Sequence, residues 1–230
     1  DQPCPCLLTN QYLRLEAIGM SHFDLDALGG VMALLDEKPE GYHQEFWDLA
    51  AHVDINGPHR IGEWCAKVEA TDPGKSLWAV EQLYAFWAWA QEHRCFPPRD
   101  GSPENITTFV NQAMFALQAI FDGDQHMLAD GRIFKQEEDK LNATSFISSQ
   151  HGVILRASSG FTNHLYLSPV GEVNVGVVAI NESHGAVTVS LAENIEGVSC
   201  REIVQSLWGE EAGGARQHRR EPQRLGQELR

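Results

Sequence analysis

The sequence predicts an α/β protein, with an N-terminal parallel-sheet domain that carries many helices and a smaller C-terminal domain of the α+β class. Three observations lead to this fold class. A short apolar run at residues 17–20 is followed by polar groups and a second apolar stretch, as where a buried strand leads into a helix. Residues 62–93 repeat apolar positions at helical spacing. Near residue 145 the pattern changes to short β-type runs separated by turn residues.

The N-terminal part is predicted to alternate strands and helices. In order, we predict a strand at 13–21, a helix at 28–35, the end of another helix at 46–51, a second strand at 52–55 and a turn at 56–58. Gly29 and Gly30 would let another segment of backbone approach the first helix closely. Helices are then predicted over most of 62–93 and over 106–121 and 124–140.

A tryptophan-rich stripe runs along the predicted helical region 62–93. Such stripes line ligand grooves in some proteins, but large aromatic side chains at helical spacing are more often part of the core, so we interpret the stripe as core.

The C-terminal part is predicted to be α+β. The β-type runs lie at 146–147, 153–155, 164–167, 173–180 and 186–191, and a helix is predicted at 199–207. The predicted domains are therefore 11–145 and 146–214, followed by an atypical arginine-rich tail at 215–230.

Composition excludes several classes of function. The formal net charge is −15, which argues against duplex DNA or an anionic membrane surface as partner. Five cysteines without a Cys-x-x-Cys pair argue against a disulfide framework and favour a reducing, cytoplasmic location. No apolar run reaches the length of a membrane span. Cys4 and Cys6 form a short pair without partner ligands in the sequence around them, so we assign them no metal.

The most informative motif places His22, Asp24 and Asp26 on alternate residues after the first predicted strand. Alternate residues of a strand share a face, so these groups would converge at its end. Buried charges are costly unless they are paired, and a divalent metal ion would relieve that cost. The alternative is that Asp26 caps the helix that begins at Ala27, which explains one of the three side chains.

A second cluster follows the second predicted strand. Asp54 and His59 could supply further ligands from a neighbouring strand end, whereas His52 could point to the opposite side. The alternative is a tight turn in which His59 is merely exposed. Late in the chain, Gly213 and Gly214 could bring backbone amides close to an anion, although a flexible tail is the simpler interpretation.

The motif His22-x-Asp24-x-Asp26-Ala27 resembles the first metal motif of the DHH phosphoesterase superfamily, and residues 146–209 resemble the substrate-binding domain associated with that family. The resemblance implies a manganese-dependent phosphoesterase. It also implies that Arg156, Asn163, His164, Gly213 and Gly214 form the C-terminal wall of the substrate cleft.

The chain departs from the family pattern at two places. It has no Asp-His-His triplet, and Gly213-Gly214 is not followed by the family's histidine. Codons compatible with the tail, read one base later, would encode His-Ala-Ser-Ile-Ala-Gly-Ser-Pro-Arg. We therefore hypothesise that the chain is frame-shifted from Ala215 onward.

The predicted function is metal-dependent hydrolysis of a small phosphoester, a dinucleotide or a short single-stranded oligonucleotide by a metal-activated water. Asp24, Asp26, Asp54 and His59 would be the catalytic residues, and with His22 they would hold Mn²⁺, or Mg²⁺ or another divalent ion in its place. No duplex DNA or membrane partner is expected, and a homodimer is left open. The alternatives are a non-catalytic metal- or nucleotide-binding relative, and a phosphatase similar to haloacid dehalogenases with Asp24 as nucleophile.

Overall fold

The structure is a computed structural model, and it describes residues 4–9, 14–19, 23–38, 43–93, 102–144, 146–148, 153–158, 176–181, 186–191 and 196–212. The described residues divide into two compact units, the first ending at Thr144 and the second beginning at Phe146.

All regular elements described in the first unit are helical. The α-helices are α1 (Leu25–Leu34), α2 (Gln44–Asn56), α3 (Ile61–Glu69), α4 (Lys75–Glu92), α5 (Pro103–Phe121) and α6 (Gln125–Thr144), with short 3-10 turns at Pro5–Leu7 and Pro58–Arg60. The helices predicted between 62 and 140 are confirmed, because long runs with apolar residues at helical spacing bury one face and expose the other.

The predicted N-terminal parallel-sheet domain is wrong. Residues 14–19 form neither helix nor strand, and residues 52–55 belong to the last turns of α2. A strand forms only when a neighbouring strand takes up its backbone hydrogen bonds, and no described segment of this unit does so. The run at 52–55 is only four residues long, which is too short to distinguish a strand from the continuation of a helix. The helix ends instead at Gly57, whose φ of 86° terminates it.

The core of the first unit lies among these helices. Its largest fully buried side chains include Phe46, Trp47, Leu83, Phe86 and Leu117. Helices α4 and α6 pack closely because α6 carries a glycine at the contact: a Cβ on Gly131 would lie 2.5 Å from the backbone nitrogen of Ala85.

The second unit contains four short strands and one helix. The strands are β1 (Phe146–Ser148), β2 (Val153–Ser158), β3 (Gly176–Asn181) and β4 (Ala186–Leu191), and the helix is α7 (Cys200–Trp208). The sheet order is β1-β2-β3-β4. The β1–β2 and β3–β4 pairs are antiparallel and the β2–β3 pair is parallel, with Leu155 opposite Val178 and Val178 opposite Val189.

None of the helices in the described part of the chain combines the length and the apolar character needed to cross a bilayer.

Candidate functional site

The segment that begins at Cys4 is held by three polar contacts, one with Asp26 of α1 and two with Lys38, which follows α1. The backbone amide of Cys6 donates to Oδ1 of Asp26 at 3.0 Å. The ammonium of Lys38 donates to the carbonyl oxygen of Leu8 at 2.7 Å and also to that of Cys6. Lys38 is only 7% exposed, and its Nζ lies 4.8 Å from the centre of the Trp47 ring. The segment is therefore anchored at its backbone on both sides of Cys6.

Two glycines of α1 make room for this segment. A Cβ on Gly29 would lie 2.7 Å from Cβ of Cys6, and a Cβ on Gly30 would lie 2.8 Å from Cβ of Pro5. Contacts this short do not occur between real side chains, so α1 accepts the segment only because it carries glycine at both positions. The close backbone approach predicted from the sequence at Gly29 and Gly30 is confirmed, and the 4–9 segment is what approaches.

This anchoring brings Cys4 beside two aspartates from different helices. Sγ of Cys4 and one carboxylate oxygen each of Asp26 and Asp54 lie within 4.8 Å of one another. Sγ of Cys4 donates to Oδ2 of Asp54 at 3.5 Å. Cys4 is buried, Asp26 is half-buried and Asp54 is exposed. We call Cys4, Asp26 and Asp54 the Cys–Asp–Asp cluster.

The two aspartates of the cluster lie at helix ends of opposite polarity. Asp54 lies in the last turn of α2, where the carbonyl end of the helix dipole makes a carboxylate unfavourable. Asp26 lies in the first turn of α1, where a carboxylate is favoured. Ligand atoms around one divalent ion are typically about 3–4 Å apart, given metal–ligand distances of about 2.0–2.3 Å. The separations in the cluster reach 4.8 Å, so these three side chains could hold a divalent ion only after moving closer together.

Cys6, unlike Cys4, has a structural role. Burial raises the pKa of the Cys6 thiol well above its ordinary value, and its hydrogen bond with Asp26 adds to the rise. Its Sγ lies 3.7 Å from the carbonyl oxygen of Trp47. A thiol held in its neutral form is a poor metal ligand, because the thiolate is the form that binds. The sulfur that lies with the two aspartates is that of Cys4, and it must lose the proton that it donates to Asp54 before it can bind a metal ion.

Two of the ligands predicted around position 24, Asp24 and Asp26, lie at the start of a helix. Asp24 is the N-cap of α1, and its Oδ1 accepts from the backbone amide of Ala27 at 2.8 Å. The capping role that we considered for Asp26 thus belongs to Asp24. Asp26 lies two residues further along, in the first turn of α1, and belongs to the cluster. His22 lies outside the described residues.

The structure brings together Asp26 and Asp54, which the sequence predicted as partners, but it places His59 elsewhere. His59 is 6% exposed in the 3-10 turn Pro58–Arg60, with its ring against Gly57: a Cβ there would lie 2.7 Å from Cε1 of His59. His52 lies on α2, with Nε2 3.1 Å from the carbonyl oxygen of Arg60. Among the described residues, neither histidine belongs to the cluster.

The predicted substrate wall is mostly beyond the described part of the chain. Asn163, His164, Gly213 and Gly214 lie outside it, as does the tail from Ala215. Arg156 lies in β2, opposite Ala179 of β3.

Sequence reasoning missed Cys4 as a member of the cluster. The pair Cys4 and Cys6 was visible, but the partners of Cys4 lie 22 and 50 residues further along the chain. The signal that could have linked them is the glycine pair of α1, which predicted that some backbone segment would come close.

No family model, no curated protein and no solved structure matches this chain. The resemblance to the DHH phosphoesterases therefore depends on the motif residues alone.

Proposed function

We propose that this protein binds a divalent metal ion through Cys4, Asp26 and Asp54. The observation that carries the proposal is the approach of one sulfur and two carboxylate oxygens, from three separate segments, to within 4.8 Å of one another. The carboxylate at the C-terminal end of α2 adds support, because a cation would offset its unfavourable position in the helix dipole.

The donor set favours zinc or another borderline ion over magnesium. Thiolate sulfur is a soft ligand that suits zinc, whereas magnesium prefers a shell of oxygen. The predicted manganese would be accommodated by the two carboxylates and less well by the sulfur. Three protein ligands with an exposed member leave room for further ligands from solvent, which is the arrangement of open rather than closed zinc sites.

Phosphoester hydrolysis is a second candidate function at the same site. It is favoured by the motif His22-x-Asp24-x-Asp26, and by the meeting of Asp26 with Asp54, which the sequence predicted as further ligands of one site. A bound divalent ion would supply Lewis-acid polarisation of a phosphoryl oxygen. In this function Asp26 and Asp54 would hold the ion and Asp24 would fix the start of α1. The substrate would be a small phosphoester or a short single-stranded nucleotide, since the acidic chain disfavours duplex DNA.

Metal binding can be tested with the full chain and one matched control. Zinc, manganese and magnesium are titrated into the metal-stripped protein by calorimetry, together with D54N and D48N. Asp48 is an exposed carboxylate on the same helix and accepts from Gln44 at 2.8 Å. We expect one zinc per chain in the unsubstituted protein and in D48N, and at least about tenfold weaker binding in D54N. Equal affinity in D54N and D48N, or no binding of any of the three ions, would refute the site.

Hydrolysis is tested separately on the metal-loaded protein. p-Nitrophenyl phosphate, bis-p-nitrophenyl phosphate and a dinucleotide are assayed with the chain and with D54N. Turnover that is lost in D54N supports the phosphoesterase. Tight metal binding without turnover leaves the metal site standing and rejects the enzyme. A phosphorylated Asp24, trapped during turnover, would instead favour the dehalogenase-like alternative.

We also propose a reducing, cytoplasmic location. Its support is that Cys4, Cys6, Cys65 and Cys200 are all free thiols within the described ranges. A thiol titration of the native protein after preparation without reductant tests this, since oxidised cysteines would contradict it.

A further inference from the structure

A groove of about 520 Å³ lies where α4, α5 and α6 meet in the first unit. Its volume falls in the range of about 300–1,000 Å³ that is usual for small-molecule sites. None of the residues described as lining it belongs to the Cys–Asp–Asp cluster. The groove is therefore a separate feature of the molecule.

One side of the groove is apolar and aromatic. Trp89 from α4, Phe115 from α5 and Met127 from α6 line it. Phe115 is 77% exposed, which leaves an aromatic ring in contact with water. Aromatic faces attract cations, and burial of such a ring against an apolar ligand is favourable in itself.

The other side of the groove is negative. Glu92 is the last residue of α4, and Asp130 lies on α6, and both are exposed. Neither makes a hydrogen bond or ion pair with any residue in the described ranges. Among the described residues of the groove there is no lysine or arginine. The carbonyl end of α4 adds to the negative potential near Glu92.

His93 completes this end of α4. Its ring stacks on Trp89 with the centroids 4.8 Å apart and the planes 15° apart. Its Nδ1 lies 2.9 Å from the carbonyl oxygen of Trp89, and because a carbonyl can only accept, Nδ1 is the donor. This contact fixes the orientation of both rings at the edge of the groove.

We propose that this groove binds a small organic cation, an ammonium compound that carries an apolar or aromatic body. Glu92 and Asp130 would neutralise the ammonium group, and Trp89, Phe115 and Met127 would cover the apolar part. Charge complementarity selects a cation over a neutral or anionic molecule, and the aromatic lining selects an organic cation over a hydrated metal ion.

The test compares two probes of the same shape with the full chain. Phenyltrimethylammonium carries the charge, and tert-butylbenzene lacks it. Binding is followed by saturation-transfer NMR and, for the ammonium compound, by calorimetry. We expect phenyltrimethylammonium to bind and tert-butylbenzene to bind at least about tenfold more weakly.

Variants assign the binding to the groove. In E92Q/D130N we expect the affinity for phenyltrimethylammonium to fall by about tenfold, and in F115A by about fivefold. The control E137Q removes an exposed carboxylate of α6 outside the groove and should leave the affinity unchanged. Because Glu92, Asp130, Glu137 and Phe115 are all exposed, the variants should keep the melting temperature of the parent.

Three results would overturn the proposal. One is equal binding of the two probes, which would make the groove merely apolar. Another is unchanged affinity in E92Q/D130N, and the third is the absence of binding at about 10 mM probe.

Discussion

The backbone amide of Cys6 donates a hydrogen bond to the carboxylate of Asp26 at 3.0 Å, and this contact joins the segment that begins at Cys4 to the first turn of α1. Asp26 thus has two roles. It anchors the segment through one carboxylate oxygen, and it lies in the Cys–Asp–Asp cluster that the same segment completes. Replacing Asp26 by asparagine can separate the two roles. The side-chain amide oxygen of asparagine can still accept the hydrogen bond from the Cys6 amide, but it carries no negative charge that would bind a metal ion.

Asp26→Asn should lose metal affinity while keeping stability, and Asp26→Ala should lose both. The alanine leaves the Cys6 amide without its acceptor, which costs about 1–3 kcal/mol in the free energy of unfolding. The asparagine should cost less than about 1 kcal/mol. Urea denaturation and zinc calorimetry on both variants measure the two effects. If Asp26→Asn bound zinc like the parent, Asp26 would be an anchor only.

Asp24 should prove to be a helix cap. Asp24→Ala removes the acceptor for the Ala27 amide and should lower the free energy of unfolding by about 1 kcal/mol, whereas Asp24→Ser should cost only a few tenths. Both variants should bind zinc with the affinity of the parent. Strong loss of metal in Asp24→Ser would instead restore the ligand set predicted from the sequence, with His22 and Asp24 as ligands.

We expect Lys38 to affect the proposed metal site indirectly, because it holds the segment that carries Cys4. Burial lowers the pKa of Lys38 from its ordinary value of 10.5, yet its ammonium bonds the carbonyl oxygens of both Cys6 and Leu8. Lys38→Met should release the segment that holds Cys4, and we expect zinc affinity to fall about tenfold or more. The exposed Lys67 on α3 provides the control Lys67→Met, which should change nothing. Retained affinity in Lys38→Met would show that Cys4 is held by other contacts.

The close packing of α4 on α6 should make Gly131 intolerant of a side chain. A Cβ there would lie 2.6 Å from Cα of Ala85, so Gly131→Ala forces the helices apart and should cost about 1–3 kcal/mol. No atom lies within 4 Å of the position that a Cβ on Gly62 of α3 would occupy. Gly62→Ala should therefore leave the free energy of unfolding unchanged or raise it by up to about 1 kcal/mol. Thermal unfolding of the two variants checks the contrast. Equal effects would contradict the close approach at Gly131.

His43 should make stability depend on pH. Its ring is buried between Phe121 and Trp78, at centroid distances of 3.9 and 5.2 Å, and burial lowers its pKa below the ordinary 6.5, while Asp122 and Glu45 partly oppose the shift. The unfolded chain therefore binds a proton more readily than the folded one. The contribution of His43 to stability is present above about pH 6.5 and is lost as the pH falls through that value. The urea concentration at the midpoint of unfolding should decrease as the pH is lowered from 7.5 to 5. It should decrease less in His43→Phe. An identical pH dependence in the two proteins would rule out His43 as the source.

The helices of the first unit could be predicted because their signal is repeated over many residues. In α4 and α5, apolar side chains recur over 18 and 19 residues, and no other regular structure buries that pattern on one face. The predicted parallel sheet failed because it depended on apolar runs of about four residues, which fit a strand, a helix end or an irregular segment equally well.

The candidate site was predicted in part and for a partly incorrect reason. Asp26 and Asp54 do meet, but they lie on two helix ends rather than at two strand ends. Their meeting follows from how α1 and α2 pack, which motif spacing does not encode. The third member, Cys4, was not predicted, since its neighbourhood is set by the anchoring of its segment through Asp26 and Lys38.

The sequence by itself determined the helices over most of 62–93 and over 106–121 and 124–140, the acidic character of the chain, and the capacity for a close backbone approach at Gly29 and Gly30. These are local properties, because periodicity, charge and the lack of a Cβ are carried by neighbouring residues. Only the tertiary structure decided that Cys4 joins Asp26 and Asp54, and that Glu92 and Asp130 line one aromatic groove. Those outcomes depend on contacts between residues tens of positions apart, whose free energy comes from the packing of whole helices and not from any one motif.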